Sequence, residues 1–334
     1  MLLRKIKNSI SNVSGNGTLF DELYLHAKYR TAIFLGKIWS EEHYARWFYH
    51  LYTGKKLNLR EPRYFDEKIW WLKLNNRDPM LTKCSDKYAV REYVKSCGYE
   101  NILVPQVDVF DDIKKLDFNR YSEEVVVKCN HNSGEHIFYD PANPMSKKEL
   151  RIRMRKLNYI FRHNAYVLSH EWNYKNIPRK IIVEKVLRDK GGRLPVDYKF
   201  MCFDGSPRLL FLDIGLINND KSYNHQYPRN IYDMNFQLLP VKETRPNTTY
   251  PIEKPQNFDT MVEIAKVLSK PFPFCRVDLY NIDGEIFFGE ITFYHGGGCN
   301  NITPEEWDLK MGSWINLESP KIKKKASESS SKEG

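Results

Sequence analysis

The stretch Arg276-Val277-Asp278-Leu279-Tyr280-Asn281-Ile282-Asp283-Gly284-Glu285-Ile286-Phe287-Phe288-Gly289-Glu290-Ile291-Thr292-Phe293 decides the reading of this chain. It is two strand-like runs around an Asp-Gly turn signal. Odd positions carry Val277, Leu279, Phe287, Ile291 and Phe293, an apolar face. Even positions carry Arg276, Asp278, Tyr280, Ile286, Phe288, Glu290 and Thr292. Burying one face requires odd positions to pair with odd, which demands a loop of odd length. The expectation is therefore a three-residue loop, Ile282-Asp283-Gly284, with Gly284 left-handed, rather than a two-residue Asp-Gly turn. That register sets Arg276, Asp278, Glu290 and Thr292 on one side of a sheet.

Two carboxylates side by side are costly to bury unless something positive lies between them. A hard cation such as Mg²⁺ suits an all-oxygen set and also takes substrate phosphates. The competing reading is a cross-strand Arg276–Glu290 ion pair with Asp278 in solvent, and the hairpin alone leaves the two even. Further residues tilt the balance. Lys128 ends the β-branched run Val125-Val126-Val127, directly before the loop Asn130–His136, where Ser133 and Gly134 are placed to cover phosphates. Asp197 and Lys199 share one strand face, and Glu184 interrupts the apolar run Ile181–Leu187, where an unpaired acid is expensive. Lysines, an arginine and acids on separate strands make a dispersed phosphate–metal site suited to phosphoryl chemistry. The P-loop, Rossmann, zincin and nucleophile-elbow signatures are missing, and so is an Asp-x-Asp pair.

Elsewhere the patterns are conventional. Residues 1–60 read as a helical extension, with Ser40 capping a helix whose stripe is Tyr44, Trp47, Phe48, Leu51 and Tyr52 and which stops at Gly54. Ser85 is expected to cap a helix ending at Gly98. Ser146 and Glu149 form a capping box for a basic helix over 146–163, with Leu150, Met154, Leu157 and Phe161 inward. Residues 217–257 read as a long polar loop, and the basic tail from Lys321 as disordered. The domain expectation is 1–60 helical extension, 61–124 leading part of the catalytic region, 125–190 small subdomain, 191–318 large subdomain and 319–334 tail. With 41% hydrophobic and 14% aromatic residues a sizeable core forms, and the net charge of +10 suits an anionic partner. The six cysteines lack metal-site spacing, so free thiols in a reducing compartment are expected. Neither a secretory h-region nor a long apolar span is present, which points to the cytoplasm, and the basic start Met1–Ile10 is compatible with peripheral contact at the inner face of a membrane.

The order Asp86-Lys87-Tyr88, Val127-Lys128, Glu184-Lys185, Asp197-Tyr198-Lys199, Arg276-Val277-Asp278-Leu279-Tyr280 and Gly289-Glu290-Ile291-Thr292-Phe293 resembles the ATP-grasp superfamily. Within it, the chain is similar to the TupA-like branch of bacterial surface-polysaccharide synthesis, from about Leu57 to Leu317. The resemblance implies an α+β fold in which two subdomains grip ATP between antiparallel sheets, preceded by a helical N-terminal region. It implies that Lys128 contacts the ATP phosphates under a lid bearing Ser133 and Gly134. Glu184, Lys185 and Val186 would form the adenine hinge, with Asp197 beside Lys199, which holds a phosphate. Asp278, Glu290 and Thr292 would bind Mg²⁺, with Mn²⁺ an acceptable substitute, and Arg276 would steady the transferring group. Many members have Asn where Thr292 stands.

The implied reaction is ATP-dependent amide formation between a carboxylate and an amine through an acyl phosphate. The implied partners are ATP, an acidic or amino sugar, and an amino acid or similar amine; no nucleic acid is expected. A sugar kinase using His295 or Asp197 as base, a glycosyltransferase and a non-enzymatic polysaccharide-binding protein are the alternatives.

Overall fold

The computed structural model describes residues 19–132, 136–215, 224 and 226–324. The chain begins as helices: α1 (Leu19–Ile38), α2 (Glu41–Thr53), α3 (Phe65–Asn75), α4 (Pro79–Ser85) and α5 (Val90–Ser96). Ser40 caps α2 by accepting from the His43 N–H at 3.1 Å, and Gly54 ends it in a left-handed conformation. The buried side of α2 is Tyr44, Ala45 and Tyr49; Ala45 and Tyr49 cluster with Trp70 of α3 and Tyr44 stacks on His170, so Trp47 and Tyr52 of the expected stripe face outward. Ser85 is not a cap. It ends α4, and its hydroxyl takes a 2.6 Å bond from Asn173. Phe65, Ile69 and Leu72 of α3 enter the main core.

A four-stranded antiparallel sheet follows, built from β1 (Gln106–Phe110), β2 (Val125–Cys129), β3 (Ile137–Tyr139) and β4 (Ile181–Lys185) in the order β1-β4-β2-β3. It takes in Gln106–Phe110, ahead of residue 125 where a boundary was expected, because β1 pairs with the edge of β4. One face carries Val125, Val127, Ile181 and Val183. It is covered by α6 (Lys147–Arg162), whose Leu157 is fully buried and whose Ser146 cap is in place. The other face presents Val126, Lys128, Ile182 and Glu184, in line with a two-residue strand period. A short helix, α7 (Ala165–Ser169), leads toward β4.

The second sheet holds β5 (Asp197–Phe203), β6 (Ser206–Asp213), β7 (Arg229–Tyr232), β9 (Phe274–Ile282) and β10 (Glu285–Thr292) in the order β10-β9-β5-β6-β7. A small pair, β8 (Lys242–Glu243) and β11 (Ile302–Thr303), lies apart from it. Helix α8 (Phe258–Ser269) packs Phe258 on Phe200, and α9 (Glu305–Ser313) closes on α3. The other face of β5 starts polar, with Asp197 and Lys199, and becomes apolar at Met201 and Phe203 against Phe65.

The decisive hairpin differs from expectation in one instructive way. Its loop is the two-residue Asp283-Gly284 turn, with φ of 51° and 92°, the left-handed pair that suits right-twisted strands. Pairing runs odd-to-even from Glu285↔Ile282 to Phe288↔Leu279, then jumps at Gly289 to Glu290↔Asp278 and Thr292↔Arg276. The bulge supplies the extra residue that the loop does not. A Cβ on Gly289 would lie 3.0 Å from the Asp278 carbonyl oxygen, so glycine permits the approach. Phe288 consequently enters the core beside Leu279, whereas Phe287 pairs with Tyr280 on the polar side.

Two further expectations fail. The segment 217–257 contains β7 and β8, short polar strands that periodicity does not flag. Residues 319–324 are packed: Ile322 joins the core, and Lys323 bonds Asp78 at 3.0 Å. Among the described residues no helix is long and apolar enough to cross a membrane.

Candidate active site

Register brings the charges of the second sheet together. Lys199 lies opposite Asp278, and Asp197 opposite both Asp213 and Tyr280. The Arg276 fork grips Asp278 with two 2.6 Å bonds and reaches Glu290 at 2.9 Å. Its remaining nitrogen donates to His295 Nδ1 at 3.0 Å. Arg276 thus spans both acids, and Asp278, far from lying in solvent, is buried. Thr292 donates to Glu290 Oε1 at 2.9 Å, so its hydroxyl orients that carboxylate.

The circuit continues behind Arg276. His295 Nε2 stands 3.1 Å from Glu243, Glu243 bonds Arg229, and Arg229 grips Asp213 at 2.5 and 2.7 Å. Asp213 lies 3.5 Å from Lys199, which is 3.8 Å from Asp278. The chain of contacts therefore closes on itself through β9, β8, β7, β6 and β5. Because Arg276 donates to Nδ1, the proton of a neutral His295 sits on Nε2 and points at Glu243. Burial pushes the His295 imidazole down against the pull of Glu243, which favours this neutral form. Both ring nitrogens are thus taken, so His295 has no free lone pair for a substrate proton.

The acids are tuned by their neighbours. Burial raises the Glu290 carboxyl, but Lys87, Arg276, Thr292 and Lys199 together hold it well below the usual range. Burial works against the charge on Lys199, yet Asp197, Asp278 and Asp213 outweigh it. Asp197 is raised by burial, despite Lys199 at 3.2 Å.

Across from these groups stands the first sheet. Lys128 pairs with Glu184 at 2.6 Å, and Arg91 lies 3.9 Å from the same carboxyl. Lys87 reaches Glu290 at 3.4 Å and bonds the Asn132 carbonyl at 3.0 Å, next to the lid segment. The His136 imidazole is pushed down to about 3 by burial and then by Lys128 and Lys87, against the pull of Glu290. Ser133 and Gly134 lie outside the described residues. At the expected hinge, the Lys185 N–H bonds Pro105 O at 3.0 Å and the Val186 N–H bonds Glu124 O at 3.4 Å. Neither amide is unengaged, so a base read here would use carbonyls or displace the longer bond.

The residues fit a hard divalent cation in chemistry and charge. Asp278 and Glu290 are directly opposed acids with a hydroxyl beside them. Among the described residues no ready-made group of three acid, His or Cys ligands exists. These residues would hold only part of a coordination shell, the remainder of which phosphate oxygens would complete around Mg²⁺.

Sequence reasoning missed Asp213, Arg229 and Glu243, and gave Lys87 no role although it stands in the quoted Asp86-Lys87-Tyr88. Glu171 was also missed: a methyl on Gly297 would lie 3.8 Å from its Oε1, so its carboxyl flanks the glycine loop. Lys73 bonds the Gly297 carbonyl at 2.9 Å and holds that loop from α3.

Two facing antiparallel sheets with an Arg-x-Asp…Glu-x-Thr hairpin define an ATP-grasp protein. The TupA-like ATP-grasp family profile matches residues 67–316, well over half of the chain, and the chain belongs to that family. Among solved structures it is similar to D-alanine–D-alanine ligase from Bacillus anthracis complexed with ATP (15% identity, TM-score 0.36), covering 66% of this chain and 57% of that one. It is similar to the D-alanine–D-alanine ligase of Helicobacter pylori at 13% identity, TM-score 0.40, covering 77% and 68%. It is also similar to an L-amino acid ligase from Bacillus licheniformis at 15% identity, TM-score 0.39, covering 65% and 44%. The chain thus spans little over half the length of the first of these. No curated protein sequence matches it.

Proposed function

We propose that the protein is an ATP-dependent carboxylate–amine ligase that works through an acyl phosphate in the cytoplasm. It joins an amino acid or similar amine to a uronic acid or amino sugar in surface-polysaccharide synthesis. The observation that carries this reading is Arg276 closing on Asp278 and Glu290 on a floor that Lys87, Lys128 and Lys199 surround. Such a floor handles phosphate and developing negative charge without a protein nucleophile. Three of the thiols are poor nucleophiles: burial pushes Cys129 up to about 12 and Cys84 further, and raises Cys275 well above the usual thiol value.

In this reading Asp278, Glu290 and Thr292 hold Mg²⁺, which would supply charge neutralisation at the phosphates. Lys128 and Lys87 bind the phosphates from the small-sheet side, with Ser133 and Gly134 above, and Glu184 to Val186 line the adenine. Lys199, with Asp197 beside it, and Arg276 hold the substrate carboxylate and the acyl phosphate. Glu171 receives the ammonium of the amine and takes its proton; burial raises this carboxyl, which suits a base. The freed nitrogen then attacks the acyl carbon, the C–N bond forms, the bond from that carbon to the bridging phosphate oxygen breaks, and the departing phosphate carries off the second nitrogen proton.

The kinase alternative loses His295, whose ring nitrogens are both taken. The test is incubation with ATP, Mg²⁺ and paired panels of uronic acids and amino acids. ADP and free phosphate that depend on both substrates support the ligase. ADP without phosphate indicates a kinase, and consumption of a nucleotide sugar without ATP overturns the reading.

A further inference from the structure

Exposed apolar side chains are concentrated in the first two helices. Among the described residues, six of the ten exposed large hydrophobics fall between Leu23 and Tyr52: Leu23, Ile33, Phe34, Ile38, Trp47 and Tyr52. Leu23, Phe34 and Ile38 are 61%, 61% and 58% exposed. Together with Ala27 they recur at i, i+4, i+11 and i+15 of α1, a single outward stripe. The opposite side of α1 is the packed one. Tyr159 of α6 donates to the Leu25 carbonyl at 2.9 Å, His26 meets Tyr159 at 5.2 Å, and Tyr29 meets His163 at 4.3 Å. Trp47 and Tyr52 extend the apolar surface onto α2, and Trp39 stacks edge-on to Trp47 at 5.4 Å.

The same stretch is net positive, with Lys28, Arg30, Lys37 and Arg46 against Glu41 and Glu42 between Leu23 and Tyr52. Residues 1–60 hold ten Lys and Arg against four Asp and Glu, so +6 of the net +10 lies there. Arg30 and Lys37 stand exposed on α1 beside the stripe. Two of the four acids are paired, Glu42 with Arg46 and Glu41 with Arg77.

We propose that the outer face of α1, with Trp47 and Tyr52 of α2, docks the protein on an anionic lipid bilayer. A narrow apolar stripe with a basic rim lies in the plane of an interface rather than spanning it, and interfacial Trp and Tyr suit that depth. Charge selects this occupant. A second copy meeting the face across a two-fold axis would bring two net-positive regions together, whereas anionic headgroups attract them.

The test is flotation of the full chain with vesicles of equal parts phosphatidylglycerol and phosphatidylcholine, against phosphatidylcholine alone. The wild type floats only with the anionic vesicles, and added salt releases it. Phe34→Asp/Ile38→Asp lowers the bound fraction about tenfold or more. Arg30→Gln/Lys37→Gln, which alters only exposed charges, also weakens binding. Failure of the wild type to float with anionic vesicles overturns the proposal, as does binding that both double variants leave unchanged. A wild-type dimer in solution that Phe34→Asp/Ile38→Asp converts to monomer overturns it too, because a second copy then covers the face.

Discussion

Asp278 and Glu290 look equivalent as paired acids, yet removing their charges has unequal consequences. The Asp278 side chain is 2% exposed and holds Arg276 with two 2.6 Å bonds, whereas that of Glu290 is 32% exposed and shares its partners with solvent. Asp278→Asn leaves the buried Arg276 guanidinium without its main counter-charge and takes one of three acids from Lys199. Breaking a buried pair from one side costs about 3–5 kcal/mol. For a chain of this size that lowers Tm by about 4–7 °C. Glu290→Gln weakens a partly solvated pair, a loss of about 1 kcal/mol or less. Both variants lose turnover by about a hundredfold or more, because each removes charge from the phosphate floor. A third variant isolates the cause: Arg276→Met/Asp278→Leu removes both partners, regains most of the lost stability and remains inactive. Thermal and urea denaturation without nucleotide measure the first effect, and ATP turnover the second. Equal melting temperatures for Asp278→Asn and Glu290→Gln, or a double variant no more stable than Asp278→Asn, would refute the assignment of a buried ion pair.

Three other outcomes are expected. Burial pushes His131 and His170 each down to about 4, so the folded chain holds them neutral where unfolded imidazoles bind protons. Unfolding free energy then falls by about 2–3 kcal/mol per pH unit once pH drops below about 6, and urea midpoints measured from neutral toward acid pH check the sign. Lys87→Met and Lys128→Met each raise the KM for ATP about tenfold while moving Tm little; an unchanged KM in both removes the small-sheet side from phosphate binding. Gly289→Ala forces a methyl against the Asp278 carbonyl at 3.0 Å, which costs about 1–3 kcal/mol, and a melting temperature equal to wild type would show that the strands part freely there.

Local chemistry was legible in the sequence. The Ser40 and Ser146 caps are side chain–backbone bonds within three residues, and both stand where the pattern placed them. The shared face of Arg276, Asp278, Glu290 and Thr292 was legible too, although for a partly wrong reason. Parity demands one extra residue somewhere in the hairpin, and the expectation put it in the loop. Gly289 was the available signal, since glycine inside a strand pattern marks a bulge. The back of the site was hidden for a different reason. Arg229 and Glu243 lie on strands of four and two residues in a polar stretch, too short for any period to register. Their meaning comes from pairing with Asp213 and His295, contacts that tertiary structure creates. Ile322 misled in the opposite sense, as one apolar residue amid lysines whose burial no charge pattern reveals.

The closed circuit also explains why a site with so many acids holds together before any phosphate arrives. Lys199, Arg229 and Arg276 face Asp197, Asp213, Glu243, Asp278 and Glu290, and with His295 neutral the set carries two negative charges in excess. Lys87 at 3.4 Å offsets one of them from the small-sheet side. Arg276 therefore stands where a cation is wanted, with three of its bonds going to the two acids on the floor. A divalent ion entering between Asp278 and Glu290 would compete with those bonds rather than fill a void. His295 decides where the displaced fork goes: its Nδ1 accepts from Arg276, and its Nε2 is anchored on Glu243 and thence on Arg229. In the proposed reaction the guanidinium would keep this one fixed partner while giving up carboxylate oxygens and turning toward the phosphate. Replacing His295 by Ala removes that pivot. In the proposed reaction this lowers kcat more than it raises the KM for ATP, whereas a purely structural histidine would lower Tm and leave the kcat of the folded fraction intact.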